Sequence, residues 1–133
     1  MLVAELMQTE VRALQPEATV ADAIVALADA HVGGLPVVDG RGRLLGVLSS
    51  TDVLEAEAEA PDAQSRTAVV DETLVSELMT PRPITIAPET SVQEAARQML
   101  YADVKRLFVE DNGRLVGVLS QTDIVSAVAT GKV

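Results

Sequence analysis

The sequence predicts a mixed α/β (α+β) protein made of two βαββα repeats that fold together as one module. Three observations carry this expectation. Val3-Ala-Glu-Leu-Met7 returns as Val75-Ser-Glu-Leu-Met79, and the same offset of 72 relates Pro16-Glu17 to Pro88-Glu89, Val20 to Val92, Leu35 to Leu107 and Asp39 to Asp111. Beyond the next turn the offset is 71, relating Gly46-Val-Leu-Ser49 to Gly117-Val-Leu-Ser120 and Thr51-Asp52 to Thr122-Asp123. The one-residue deletion lies in a polar stretch between apolar runs, which a hairpin tolerates and a core does not. The repeats are assigned to residues 1–60 and 73–133, with 61–72 as a linker.

Each copy presents its elements in the same order. A short helix at Val-x-Glu-Leu-Met comes first. Val11-Arg-Ala-Leu14 and Ile84-Thr-Ile86 then read as short strands, each closed by a proline that disfavours helix in the residue before it. Behind Pro16-Glu-Ala-Thr19 and Pro88-Glu-Thr-Ser91, both good helix starts, apolar residues recur at helical spacing: Val20, Ala23, Ile24 and Leu27, then Val92, Ala95, Ala96 and Met99. Leu35-Pro-Val-Val38 and Leu44-Leu-Gly-Val-Leu48 predict a hairpin across Asp39-Gly-Arg-Gly42. Leu107-Phe-Val-Glu110 and Leu115-Val-Gly-Val-Leu119 predict its twin across Asp111-Asn-Gly113, where Asn-Gly favours a tight turn because both residues tolerate positive φ. A second helix starts near Thr51 and near Thr122. Residues 55–72 hold six acids and one arginine, so the Glu/Ala stretch reads as an exposed continuation of the first copy's second helix, stopped near Pro61.

Composition limits the function classes. With 48% hydrophobic residues the 133-residue chain has enough apolar material to form a core, and with only Tyr101 and Phe108 as aromatics that core is aliphatic. The absence of cysteine removes disulfides and thiolate chemistry and fits a reducing, cytoplasmic setting. No stretch approaches the ~20 apolar residues of a membrane span, so no membrane insertion is expected. A net charge of −10 repels phosphate backbones, and few aromatics leave no stacking platform, so no nucleic-acid partner is expected. His31, the only histidine, is read as a helix C-terminal residue favoured by the dipole. No metal set, P-loop, dinucleotide fingerprint or nucleophile-base pair emerges, so the chain is expected not to be an enzyme and to require no cofactor.

The blocks Val-x-Glu-Leu-Met, Pro-Glu-x-Thr/Ser-Val, Leu-Pro-Val-Val-Asp and Gly-Val-Leu-Ser-x-Thr-Asp, in this order and duplicated, resemble the CBS domain, which occurs in pairs called Bateman modules. The resemblance covers Val3 to about Ala56 and Val75 to about Ala127. It implies two CBS-type repeats packed about a pseudo-two-fold axis with two clefts between them, assembly of pairs into homodimers, and binding of an adenosine-containing ligand such as AMP, ADP, ATP or S-adenosylmethionine.

The residues that matter most under this reading are Ser49, Thr51 and Asp52, and their twins Ser120, Thr122 and Asp123, each set where a strand hands over to a helix. The same residues serve as helix caps, since a Ser with an acid three positions later satisfies orphan N–H groups. A capped helix start is also an anion site. The family pattern implies that the Ser/Thr side chains hold a phosphate and the Asp carboxylate holds ribose hydroxyls. Gly33 and Gly34 in the first copy, and Lys105 and Arg106 in the second, precede the second strand; this stretch lines the cleft in the family, although basic residues there also discourage strand-edge pairing. Thr85 and Ile86, with Arg12 and Ala13 as counterparts, are candidates to meet an adenine ring through backbone groups, and core packing explains that strand equally well.

Residues 1–54 carry seven acids and three bases, residues 75–133 seven acids and six, so an anionic nucleotide is expected to prefer the second copy's motif. Two functions follow: a regulatory, ligand-sensing module acting on an unknown effector protein, or a scaffold for dimerisation and docking that binds no ligand. Retention of the hydroxyls and the Asp in both copies favours the first.

Overall fold

The computed structural model describes residues 1–132, which run α1 (Val3–Leu6), α2 (Val20–Ala30), β1 (Gly34–Val38), β2 (Leu44–Ser49), α3 (Ser50–Glu59), α4 (Ala63–Glu72), α5 (Val75–Leu78), β3 (Thr80–Pro81), β4 (Thr85–Ile86), α6 (Val92–Ala102), β5 (Arg106–Asp111), β6 (Arg114–Ser120) and α7 (Gln121–Ala129). These elements make two three-stranded sheets, ordered β1-β2-β3 and β4-β5-β6. The mixed helix-and-strand class expected from the sequence is the class observed.

The two compact units cut across the sequence repeats. One comprises Met1–Val11 with Ile84–Val133, the other Arg12–Pro83, so each unit takes the opening segment of the other copy. Burial drives this exchange. Val3 of the first copy lies in the same core cluster as Ile86, Ala95, Met99, Leu107, Val109 and Leu119, while Val75 joins Leu14, Val20, Leu27, Leu35, Val37, Leu48 and Val53. Both valines are fully buried, and each such burial contributes roughly 1.5–3 kcal/mol. Backbone bonds fix the same arrangement: the Val3 and Ala4 N–H groups donate to the Thr90 and Pro88 carbonyls, and the Val75 and Ser76 N–H groups to those of Ala18 and Pro16.

Within each unit the local signals produce the expected elements. Thr19 and Ser91 cap α2 and α6 by accepting from the Asp22 and Glu94 N–H groups, and His31 and Asp103 end those helices in the left-handed region. The hairpins pair Leu35 with Leu48 and Leu107 with Leu119, with register shifts at Val37/Val38 and Val109/Glu110, positions 72 apart. Asn112 and Gly113, both at positive φ, make the tight turn of the second hairpin.

One expectation needs correction. Val11–Leu14 does not form a strand matching β4; it is reduced to a single parallel bridge, Leu14 to Val37. The second copy pairs Thr85 with Phe108 and Ile86 with Val109, and the residue equivalent to Phe108 is Pro36, which has no N–H for the additional ladder bond. Residues 61–72, read from the sequence as a linker, are mostly helical, because α4 occupies Ala63–Glu72. Asp62 accepts from the Ser65 N–H at 2.7 Å and starts this helix, which buries none of its own residues.

That cap has a pH consequence. Hydrogen bonds from Ser65, backbone first, hold the Asp62 carboxyl below its ordinary value of 3.8. The folded value is the lower one, so the cap's stabilisation is complete above 3.8 and fades as pH falls through the folded value. Backbone chemical shifts of α4 are expected to show acid fraying in the native chain. Asp62→Ala is expected to fray at every pH and to lose the acid step; an unchanged acid step would assign it to another group.

Candidate functional site

The strand-to-helix corners are built identically in the two units. Ser49 ends β2 in extended conformation and accepts from the Asp52 N–H at 3.1 Å, while Asp52 Oδ2 accepts from the Ser49 N–H at 2.9 Å. Ser120 and Asp123 repeat this reciprocal box at 3.0 Å in both directions. The capping reading is therefore observed in both copies. The helices start at Ser50 and Gln121, one residue ahead of the threonines, which places Thr51 and Thr122 at the second helical position with exposed side chains.

Around each corner the structure gathers most of the residues singled out by sequence. Gly34 lies opposite Ser49 and Arg106 opposite Ser120 in the hairpin registers. The Gly33 carbonyl accepts from the Ser50 N–H at 2.8 Å, and the Lys105 carbonyl from the Gln121 N–H at 2.9 Å. So Lys105 and Arg106 stand beside the Ser120 corner, and Gly33 and Gly34 beside the Ser49 corner. Thr85 is half-buried on β4, two residues along β5 from Arg106 through its pairing with Phe108.

Two candidates have other employment. The Ile86 side chain belongs to the core, 5% exposed, leaving only its backbone for a ligand. Arg12 forms a 3.8 Å ion pair with Asp29 of α2, both side chains largely in solvent, an interaction of small energy.

Sequence reasoning missed Gln8 and Thr80. Gln8 Nε2 donates to Asp123 Oδ1 at 3.1 Å and Thr80 Oγ1 donates to Asp52 Oδ1 at 3.2 Å. Both residues follow the Val-x-Glu-Leu-Met block, 72 positions apart, so the repeat marks them as equivalent. What the repeat does not reveal is the exchange that carries each one to the carboxylate of the other copy.

The exchange also redistributes charge. The unit with the Ser120 corner has eight acids and five bases, since it gains Glu10 and gives up Arg82, while the other has twelve acids and five bases, most of the excess lying in residues 55–72. The Ser120 corner keeps the less negative surroundings. Among the described residues no group of three or more His, Asp or Glu side chains is placed to hold a metal ion, and no helix is long and apolar enough to cross a membrane.

Comparison with known proteins identifies the family and its fold. The CBS domain family matches twice, over residues 3–59 and 75–130. The chain is 32% identical to the chloroplastic CBS domain-containing protein CBSX2 of Arabidopsis thaliana, over 86% of its own length and 57% of that protein's, so it spans little more than half of this relative. It is 30% identical to the CBS domain-containing protein YhcV of Bacillus subtilis, over 92% of this chain and 81% of that one. The crystal structure of CBSX2 in complex with AMP superposes with a TM-score of 0.83 at 32% identity, covering 99% of this chain and 98% of that one.

Proposed function

This chain belongs to the CBS-domain family, carrying the domain twice, and from that premise we propose that it is a non-catalytic regulatory module that binds an adenosine-containing nucleotide and modulates a partner protein. The observation that carries the reading is the duplicated corner: a helix start with an exposed Thr hydroxyl, next to an Asp carboxylate held by two donors. A helix N-terminus suits a phosphate, and a carboxylate suits a vicinal diol. A 32%-identical relative crystallised with AMP supports the same chemistry.

AMP is the preferred candidate. S-adenosylmethionine has no phosphate for the helix start, and a chain of net charge −10 disfavours the more highly charged ATP. The Ser120 corner is the preferred site, with Lys105 and Arg106 supplying the cations. Regulation then needs two states of the module that bind both nucleotide and partner unequally.

A scaffold or homodimer reading has its own support in apolar side chains left in solvent on the helices, among them Val25 (59% exposed), Leu54 (65%), Leu100 (76%) and Val125 (66%). Thermal unfolding with AMP, ADP, ATP and S-adenosylmethionine separates the two. Binding to the folded state raises the midpoint, by an amount equivalent to about 2.7 kcal/mol at a hundredfold excess over Kd. AMP is expected to give the clearest shift, and no shift with any of the four leaves the scaffold reading. In Lys105→Ala/Arg106→Ala, AMP affinity by calorimetry is expected to fall about tenfold, equivalent to the loss of one charge-assisted contact. Unchanged affinity would remove the charge argument for ranking this corner first.

A further inference from the structure

We propose that Gln8 and Thr80 are positioning residues for ribose recognition, each orienting the carboxylate of the opposite repeat; this rests on the adenosine reading above. Asp123 is held at both oxygens from two separate segments, Oδ2 by the Ser120 N–H and Oδ1 by Gln8 Nε2. Asp52 is held in the same way by the Ser49 N–H and Thr80 Oγ1. A carboxylate with one donor swings about its Cβ–Cγ bond, whereas donors on both oxygens fix its plane. Each oxygen has two lone pairs, so every anchored oxygen keeps one for a ligand hydroxyl. The anchored carboxylate therefore presents two fixed acceptors, which is what the 2′ and 3′ hydroxyls of a ribose need.

The supporting segments are themselves held in place. Gln8 and Val118 exchange backbone hydrogen bonds at 2.9 Å in each direction, and Thr80 lies opposite Val47 in the β2–β3 ladder. The two donors differ in stiffness. Thr80 reaches its Asp through one β-branched torsion, and Gln8 must order three. Both side chains are exposed, so altering them disturbs orientation without opening the core.

The test is calorimetric titration with AMP and with 2′,3′-dideoxy-AMP, which lacks the hydroxyls. In the native chain AMP is expected to bind more tightly than its dideoxy counterpart. Gln8→Glu, which sets one carboxylate against another, is expected to lower AMP affinity about tenfold at the Ser120 corner, and Thr80→Val about threefold at the Ser49 corner. Thr80→Ser, which keeps the hydroxyl, is expected to restore the native value. Dideoxy-AMP affinity is expected to hold in the Thr80 variants and to fall less than AMP affinity in Gln8→Glu, whose added charge also repels the phosphate, an outcome that a general loss of structure would not produce. If the Gln8→Glu/Thr80→Val double variant keeps the native AMP preference, the proposal is overturned while the adenosine reading stands. If the native chain binds AMP no better than dideoxy-AMP, or binds neither, the ribose assignment fails and takes the proposal with it.

Discussion

Alanine at Gly46 is expected to destabilise the fold by about 3 kcal/mol, in the upper range for forcing an extra carbon into a packed site. For a chain of this length that lowers the thermal midpoint by roughly 10 °C. Neither Gly46 nor its twin Gly117 sits at positive φ; both lie inside strands, where a glycine marks close approach of another backbone. The approaching backbone is the exchanged segment. A Cβ on Gly46 would stand 2.6 Å from the Thr80 carbonyl oxygen and 2.8 Å from Met79 Sδ. On Gly117 it would stand 2.6 Å from Met7 Sδ and 2.9 Å from the Gln8 carbonyl oxygen.

The difference between the two sites sets their order. At Gly46 the tightest contact is main chain, which moves only if β3 leaves its ladder. At Gly117 the tightest contact is the end of a flexible side chain, so Gly117→Ala is expected to cost less, about 2 kcal/mol. In double-mutant cycles, Met7→Ala is expected to relieve part of the Gly117→Ala cost, whereas Met79→Ala relieves little of the Gly46→Ala cost. Denaturant unfolding of the four single and two double variants measures these couplings. Equal, small losses at both glycines would mean that the opening segments are not tightly seated.

Most of the fold was legible because duplication reports every element twice. Pro-Glu-x-Thr/Ser, Asn-Gly and Ser-x-x-Asp are local signals, and the structure uses each locally, as cap, turn and cap. Three features were hidden for physical reasons. Pro36 shortens the first copy's strand by removing a donor that pairs across the sheet, so inspecting Val11–Leu14 by itself could not expose the defect. Helix α4 has a weak pattern because it buries none of its own residues, leaving Asp62 as its clearest local signal. The exchange of opening segments was the largest omission. Val3 and Val75 occupy equivalent positions, so the sequence is equally consistent with each staying in its own copy or crossing to the other. Periodicity says that a valine is buried, not in which core. The same ambiguity concealed Gln8 and Thr80, since a polar residue after a short helix carries no sign of the carboxylate it will meet.

The carboxylates Asp52 and Asp123 have two possible duties, capping and ribose recognition, and substitution by asparagine separates them. Asp123→Ala removes the partner of the half-buried Ser120 N–H as well as that of Gln8, so about 1–2 kcal/mol of stability is expected to go with the cap. Asp123 is the third helical residue, reaching back to the N-cap, and an asparagine side-chain oxygen there can still accept from the Ser120 N–H. Its amide nitrogen then faces Gln8, whose own amide can turn to present Oε1, and at Asp52 the Thr80 hydroxyl can accept in the same manner. Stability in Asp123→Asn and Asp52→Asn is therefore expected to stay within about 0.5 kcal/mol of the native chain.

AMP affinity, by contrast, is expected to fall in the same variants. A diol donates two hydrogen bonds, and asparagine offers it one oxygen and one competing donor. The loss of a charged acceptor corresponds to about 1.5–3 kcal/mol, or roughly ten- to a hundredfold in AMP affinity. Thermal unfolding without nucleotide, paired with calorimetry with AMP, reads both effects on the same samples. Asparagine variants that bind AMP as tightly as the native chain would reduce these carboxylates to caps. Variants that keep their stability and lose AMP would show that a single side chain both starts the helix and reads the sugar.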